Sequence, residues 1–318
     1  MNSDETVKIG ISACLLGERV RFNGEAKRKN NFLEQLRDHY QVETCCPEVG
    51  IGLGVPRDTI RLVDFDGESR ALGGPDHGND YSSDLRGYAR DMLEANTDWC
   101  GYIGVKGSPS CGYARVKRYN QAGNSLPSDG VGLFIGELRR LNPLLPVEED
   151  GRLNDIGLRH SFMLRVLTYA RWKQLLEEGA TAKSLIDFYA RHKYLVMAHS
   201  IAHYKQLGRL LSDAGKQDIE TLGAQVIGLI MEAFGKPASR KAHSNALYHI
   251  SGYLKKKIES REREEIRGLI DQYREGEIPL IVPVKLLASY FARHPDPYIS
   301  EQLFMFPFPD KLGIRNAL

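Results

Sequence analysis

The sequence has 318 residues, of which 42% are hydrophobic and 26% charged, and its formal net charge is +2. This composition is that of a folded globular protein and excludes a disordered or fibrous chain. No apolar run reaches the roughly 18 residues of a membrane span, and the polar opening, residues 1–6, lacks the layout of a secretory signal. We therefore expect no membrane association and a cytoplasmic location, where the five cysteines suit metal binding or catalysis better than disulfides.

Charge and residue type divide the chain near residue 151. Residues 1–151 contain 18 Lys/Arg, 23 Asp/Glu and all five cysteines, whereas residues 152–318 contain 25 Lys/Arg, 18 Asp/Glu and seven of the nine histidines. We expect an acidic, cysteine-bearing domain over 1–150 and a basic, histidine-rich domain over 151–318. The basic half favours an anionic partner, although a solvated surface explains the same charge.

The first half alternates short apolar runs with helical periodicity. The predicted strands are 8–14, 41–46, 59–65 and 100–105, and the predicted helices are 31–40, 81–95 and 131–141. Such alternation predicts an α/β domain with a Rossmann-like parallel sheet. The segment 142–151, with two prolines and an acidic turn, marks the expected domain boundary.

Beyond this boundary helical periodicity dominates, which predicts a second, all-α domain. The predicted helices are 155–178, 181–192, 194–214, 219–234, 239–253, 260–275 and 283–292.

Three cysteines each follow a predicted strand and precede a chain breaker. They are Cys14, Cys46 and Cys111. The carboxyl ends of parallel strands meet at one edge of a sheet, where open α/β sheets bind ligands. Three thiols cannot complete a four-ligand zinc site, but their separation is compatible with an iron–sulfur cluster that keeps one iron open. Buried cysteines are also common core residues, so the pattern alone leaves both interpretations open.

Three ordered motifs resemble those of the thiouracil desulfidase family. They are SACLLG at 12–17 with VRFNG at 20–24, CPE at 46–48, and GSPSCG at 107–112, and the resemblance covers residues 8 to about 147. It implies a [4Fe-4S] cluster held by Cys14, Cys46 and Cys111, with one open iron that binds the sulfur of a thiolated pyrimidine. It also implies that Glu48 and Ser108 are catalytic.

The implied reaction is a non-redox hydrolysis of thiouracil, or of a thiouridine nucleotide, to the uracil compound and sulfide. Glu48 would take a proton from the attacking water, and Ser108 would pass a proton to the ring or hold the tetrahedral intermediate. Arg21 and Arg57 are candidates for holding a substrate carbonyl or phosphate, although surface arginines explain both equally well. Phe22 replaces a tyrosine that the family commonly has, so the substrate preference stays open.

Two other functions fit parts of the sequence. An iron–sulfur sensor of oxygen or redox state, with a basic half that binds nucleic acid, needs an exposed three-thiolate cluster but no acid–base pair. A redox thiol enzyme that uses Cys45 and Cys46 is disfavoured, because adjacent cysteines reach disulfide geometry only with strain.

The second half resembles a bacterial helical domain of unassigned function over roughly 190–310. On one helix His192, His199 and His203 would share a face. His199 and His203 alone could hold a metal ion, but no glutamate follows in a His-Glu-x-x-His pattern, so histidines in a polar groove between helices are the favoured interpretation. A basic set follows, made of Arg240, Lys241, His243, His249 and residues 255–257. Such a face would contact RNA or a nucleotide phosphate, although a solvated helix face gives the same pattern.

Overall fold

The computed structural model describes residues 7–27, 30–74, 78–309 and 312–318. The polar opening at 1–6 lies outside the described residues. Internal contacts divide the chain into two compact units, Met1–Asn154 and Asp155–Leu318. The first unit is α/β and the second is all-α, which confirms the predicted fold class.

In its described residues the first unit has eight strands and four helices. The strands are β1 Lys8–Ser12, β2 Gln41–Cys45, β3 Arg61–Phe65, β4 Glu68–Gly73, β5 Asn79–Asp80, β6 Trp99–Gly104, β7 Arg118–Tyr119 and β8 Val147–Glu149. The helices are α1 Asn31–His39, α2 Pro47–Gly50, α3 Ser82–Ala95 and α4 Leu133–Leu141.

The central sheet is parallel throughout and has the order β2-β1-β6-β8. From β1 the chain moves to β2 on one side and later returns to β6 on the other side of β1. This reversal makes a topological switch point, and the carboxyl ends of the strands there are the usual ligand edge of an open α/β sheet. The strand β8 lies inside the segment 142–151 that the sequence marks as the domain boundary, and the first unit extends to Asn154.

A second sheet, of order β5-β4-β3-β7, covers a separate apolar cluster. The pairs β3–β4 and β4–β5 are antiparallel, whereas β3–β7 is parallel. Leu62 and Ala71 from this sheet pack with Leu85 of α3 and Val116. The sequence predicts β3 but not its antiparallel neighbours, because β4 begins with three consecutive polar residues, Glu68, Ser69 and Arg70, and β5 has only two residues.

The described residues of the second unit form eight helices. They are α5 Ile156–Glu177, α6 Ala182–His199, α7 Ile201–Leu211, α8 Ile219–Ala233, α9 Arg240–Ser251, α10 Ser260–Glu275, α11 Ile281–Arg293 and α12 Pro297–Ser300. In the part of the chain that is described, none of the helices is long and apolar enough to cross a lipid bilayer.

The helix break predicted after His192 is wrong. Helix α6 continues through His192 to His199, and α7 begins after Ser200, whose hydroxyl caps the new helix by accepting from the His203 backbone N–H. His203 therefore lies on a different helix from His192 and His199, so the three do not share one helix face. The helix break occurs at Ser200, because its side chain accepts a hydrogen bond from a backbone N–H that has no partner in the first turn of α7.

Candidate active site

The carboxyl ends of β1, β2 and β6 open onto a cavity of about 220 Å³ in the first unit. All of the candidate site residues from the sequence line this cavity. They are Cys14, Cys46, Cys111, Glu48, Ser108, Arg21 and Arg57.

Cys14 lies in a single 3₁₀ turn, Ala13–Leu16, that directly follows β1. The turn ends at Gly17, whose φ of 95° is accessible to glycine at little cost. The Cys14 carbonyl accepts a hydrogen bond from the backbone N–H of Lys27, at 3.0 Å. This bond fixes the segment that carries Arg21 and Lys27 against the turn.

Cys46 follows β2 and is the residue before the short helix α2. Pro47 at the first helical position is compatible with a helix start because its missing N–H would have no partner there. The Cys46 thiol donates to the carbonyl of Val20 at 3.8 Å, and its backbone carbonyl accepts from Gly50 at 2.8 Å. The strand end and the helix turn thus hold this thiol at the cavity wall.

Cys111 is carried by the loop after β6. A Cβ on Gly104, the last residue of β6, would lie 2.1 Å from the Cys111 carbonyl oxygen, so only glycine allows this loop to approach the strand. The Ser108 hydroxyl oxygen accepts from the backbone N–H groups of Ser110 and Cys111, at 3.2 and 3.0 Å. Ser108 therefore organises the turn that presents Cys111.

Burial and mutual proximity raise the pKa values of the three thiols. The pKa of Cys14 is raised to about 11, first by burial and then by the Cys46 sulfur, although the charge of Arg21 acts in the opposite direction. Burial also raises the pKa of Cys46 and, most strongly, that of Cys111. Each thiol is thus protonated at neutral pH unless a cationic group compensates the charge of the thiolate.

Glu48 is held from two sides. Its Oε2 accepts from Arg57 Nε and Nη2, at 2.9 and 2.7 Å, and its Oε1 accepts from the Ser110 hydroxyl at 2.9 Å. The Arg57 side chain is only 7% exposed and that of Glu48 16%. Arg57, predicted as a substrate ligand, therefore has its guanidinium occupied by Glu48 and by the Gly54 carbonyl.

The other two cysteines differ in their surroundings. Cys45 also lines the cavity, but its sulfur is buried and lies 3.4 Å from the Tyr102 hydroxyl, which pairs with Ser12 at 3.1 Å. Cys100 is buried, and its thiol donates to the Asp98 carbonyl.

Three further residues support this site and are not predicted from the sequence. Ser110 holds Glu48, Lys27 adds a second cation to the cavity lining, and the Tyr102 hydroxyl contacts Ser12 and Cys45, which line the cavity. Ser110 stands inside a motif that was recognised, but a serine in a turn gives no sign of which carboxylate it will contact. Lys27 is one of several lysines in a polar segment, so no pattern distinguishes it.

The predicted basic face of the helical unit is only partly present. His243 is buried and therefore does not join a solvent-exposed face, which corrects that prediction. Arg240 Nη1 donates to the carbonyls of Tyr273 and Ile278, so this guanidinium ties α9 to the end of α10. Lys257 donates to the Pro295 carbonyl at 2.9 Å.

Comparisons with known proteins follow the two-unit division. A family model described as 2-thiouracil desulfurase matches residues 9–150, and one described as a protein of unknown function, DUF1722, matches residues 193–309. The uncharacterized protein YbgA of Escherichia coli (strain K12) is 31% identical over 158 residues, which cover 49% of this chain and 94% of that relative. A solved structure of a [4Fe-4S]-dependent thiouracil desulfidase, TudS, is 30% identical with a TM-score of 0.39, and the match covers 49% of this chain and 98% of that chain.

Fold and site define an α/β domain with three thiols at its ligand-binding edge, joined in one chain to a helical domain. The chain belongs to the thiouracil desulfidase family through its first unit, and a DUF1722 domain follows. The activity named for that family is the desulfuration of thiouracil.

Proposed function

We propose that the first unit removes sulfur from a thiolated pyrimidine, with a [4Fe-4S] cluster held by Cys14, Cys46 and Cys111 and with Glu48 and Ser108 as catalytic residues. The observation that carries this proposal is the convergence of all five side chains on one cavity. Three separate chain segments contribute to it, each at the carboxyl end of a parallel strand.

The donor set fits a cluster better than a single ion. Among the described residues, the only His, Cys, Asp or Glu group whose ligand atoms all lie within 4.8 Å of one another consists of histidines in the helical unit. The three sulfurs therefore do not all lie within 4.8 Å of one another, which is compatible with a group of several iron atoms. The positive charge of such a group would stabilise the buried thiols as thiolates.

When bound, such a cluster with one open iron supplies a Lewis acid for the substrate sulfur, which makes the thiocarbonyl carbon electrophilic. Glu48 then has a defined task. Arg57 occupies Oε2, and Oε1 keeps lone-pair capacity beside the Ser110 hydrogen bond. We assign to Oε1 the removal of a proton from the attacking water.

Ser108 is arranged as a proton donor. Its oxygen already accepts two backbone N–H groups, so its own hydroxyl proton is the part left for a ligand. Two N–H donors also polarise the hydroxyl, which strengthens it as a donor to the ring or to a developing oxyanion. The overall change is balanced without an oxidant: water supplies oxygen to the carbon, and sulfur leaves as sulfide with the protons of that water.

The cavity also bears on the substrate class. Arg21 and Lys27 both line it, and the Arg21 side chain is 31% exposed, with a 4.0 Å contact to Glu25 and a position 5.7 Å from the centre of the Phe22 ring. These two cations are suited to the phosphate of a thiouridine monophosphate. Contact with a thiolated RNA through the basic helical unit stays a hypothesis that the same assay can address with a short thiolated oligonucleotide.

The test is sulfide release by anaerobically reconstituted full-length protein, with iron content and the visible cluster absorption recorded on the same samples. Substrates are 2-thiouracil, 4-thiouracil and 4-thiouridine monophosphate. We expect about four irons per chain and turnover of at least one compound. A full cluster without release of sulfide from any of them would contradict the proposal and favour the sensor function instead.

A further inference from the structure

Three histidines converge inside the helical unit, although they are far apart in the sequence. His160 lies in the first turns of α5, His199 is the last residue of α6, and His243 lies near the start of α9. One ring nitrogen from each lies within 4.8 Å of the others. Ring-centroid distances between the pairs are 5.9 to 6.2 Å.

Neighbouring groups orient two of the rings for ligation. His199 Nδ1 donates to the Lys236 carbonyl at 2.8 Å, since a carbonyl can only accept, and its Nε2 therefore carries the lone pair. His243 Nδ1 lies 2.9 Å from the Tyr273 hydroxyl. A hydrogen bond from the second ring nitrogen to a carbonyl or hydroxyl is the usual outer support of a metal-bound histidine.

The facing nitrogens lack partners. Within the described parts of the chain, Nε2 of His160 and Nε2 of His199 are both buried and have no hydrogen-bond partner. His160 is only 1% exposed, so water does not satisfy it by simple surface contact. Buried polar atoms are normally paired, and two unpaired lone-pair atoms in one cluster indicate a missing ligand.

His192 shows that an unpaired buried ring nitrogen does not by itself indicate a metal site, which also needs other ligands nearby. Its Nε2 is also buried without a partner among the described residues. Its ring packs against Phe188 at 4.4 Å and Phe234 at 6.4 Å, however, and it belongs to no metal-capable group. His192 therefore serves as an internal control for a buried histidine without a site.

The chemistry of the three residues limits the choice of ligand. His160 and His243 are buried, and an environment of this kind favours the neutral imidazole, which is the form that binds a metal ion. Imidazole suits zinc, copper, iron and nickel, and three protein ligands leave a fourth position open. A tetrahedral zinc ion with bonds of about 2.1 Å needs nitrogens about 3.4 Å apart. The three nitrogens lie within 4.8 Å of one another, so the rings would have to move slightly closer together to bind it.

We propose that His160, His199 and His243 form a three-histidine site for a divalent transition metal ion, zinc in the first instance, with one open coordination position.

The test uses cobalt(II) as a probe in the full chain with Cys14, Cys46 and Cys111 changed to alanine, so that thiolates of the first unit do not contribute. We expect one cobalt per chain, visible bands of a tetrahedral ion and no thiolate charge-transfer band. His243→Ala and His199→Ala should weaken binding at least about 100-fold, whereas His192→Gln should bind as the parent does. Equal binding by all four proteins, or none by the parent, would overturn the site.

Misfolding of a histidine variant is controlled by a measurement on the parent alone. X-ray absorption of zinc retained by the same triple-alanine chain should show a first shell of nitrogen and oxygen with imidazole scattering. A shell without imidazole, or a chain that retains no zinc after dialysis, would also overturn the proposal.

Discussion

Arg57 donates two hydrogen bonds, from Nε and Nη2, to the same carboxylate oxygen of Glu48, at 2.9 and 2.7 Å. The second carboxylate oxygen accepts a hydrogen bond from the Ser110 hydroxyl at 2.9 Å, and Glu48 lines the cavity. The carboxylate is therefore held in a fixed position, as the proposed role of base requires.

Glu48→Gln should keep the cavity intact but remove the base. We expect iron content close to that of the parent and a fall in turnover of about 100- to 10,000-fold. The measurement is sulfide release together with iron per chain. Asp58→Asn, an exposed acid near Arg57 in the sequence and outside the cavity lining, is the matched control and should keep parental activity. A fully active Glu48→Gln protein would remove Glu48 from the mechanism.

Ser108→Ala removes both the hydroxyl proton and the acceptor for two loop N–H groups. We expect turnover to fall about 100- to 1,000-fold. Ser108→Thr, which keeps the hydroxyl, should recover much of that loss. Parental turnover in Ser108→Ala with a full iron content would mean that Ser108 only shapes the turn.

Arg57→Lys separates two roles for this arginine. Lysine cannot reproduce two parallel donors from one planar group, so Glu48 would be less well positioned. We expect kcat to fall about 10- to 100-fold with little change in KM, on both base and nucleotide. A rise in KM confined to 4-thiouridine monophosphate would instead show that Arg57 binds phosphate. Arg21→Ala is the comparison, since it should raise KM for the nucleotide and leave the free base unaffected.

The buried His192 should make the helical unit less stable in acid. Burial, followed by the charge of Arg171, lowers its pKa from an ordinary 6.5 to about 3 in the folded state. In the unfolded chain this histidine becomes protonated below pH 6.5, whereas in the folded chain it stays neutral down to about pH 3. The free energy of unfolding therefore falls as the pH decreases from 6.5 to about 3. From pH 7 to pH 5 this histidine should cost about 1 to 2 kcal/mol of unfolding free energy.

His192→Gln should lose that part of the pH dependence. The measurement is urea unfolding of parent and variant, followed by helical circular dichroism at pH 7 and pH 5 with a chelator present. Because the other buried histidines remain in both proteins, the difference in slope isolates His192. Identical slopes would contradict a neutral His192 in the folded state.

The fold class and the gathering of the three thiols follow from patterns that are local in the sequence. Each cysteine directly follows an apolar strand or its loop, and parallel strands bring their carboxyl ends together without further information. The contact between Glu48 and Arg57 does not follow in this way, because the loop between them has no period that determines its path. Arg57 was accordingly predicted to contact the substrate, whereas its guanidinium contacts Glu48.

The contacts among the histidines of the second unit could not be predicted from local sequence patterns. Helical periodicity placed His203 with His199, but Ser200 ends the helix between them, since serine can occupy a helix interior or a cap and an apolar pattern does not distinguish these. The histidines that lie near His199 are instead His160 and His243, which are 39 and 44 residues away in the sequence and belong to other helices. Only tertiary packing brings them together.

Cys45 and Cys46 are adjacent and both line the cavity, but the Cys45 sulfur is buried and lies 3.4 Å from the Tyr102 hydroxyl. The proposed three-thiolate cluster requires Cys46 and not Cys45. We would measure iron and acid-labile sulfide per chain, with sulfide release on the same samples, in Cys46→Ala and Cys45→Ala. If Cys46 is a cluster ligand and Cys45 is not, Cys46→Ala should lose both cluster and turnover, and Cys45→Ala should retain both. A full, active cluster in Cys46→Ala would contradict it.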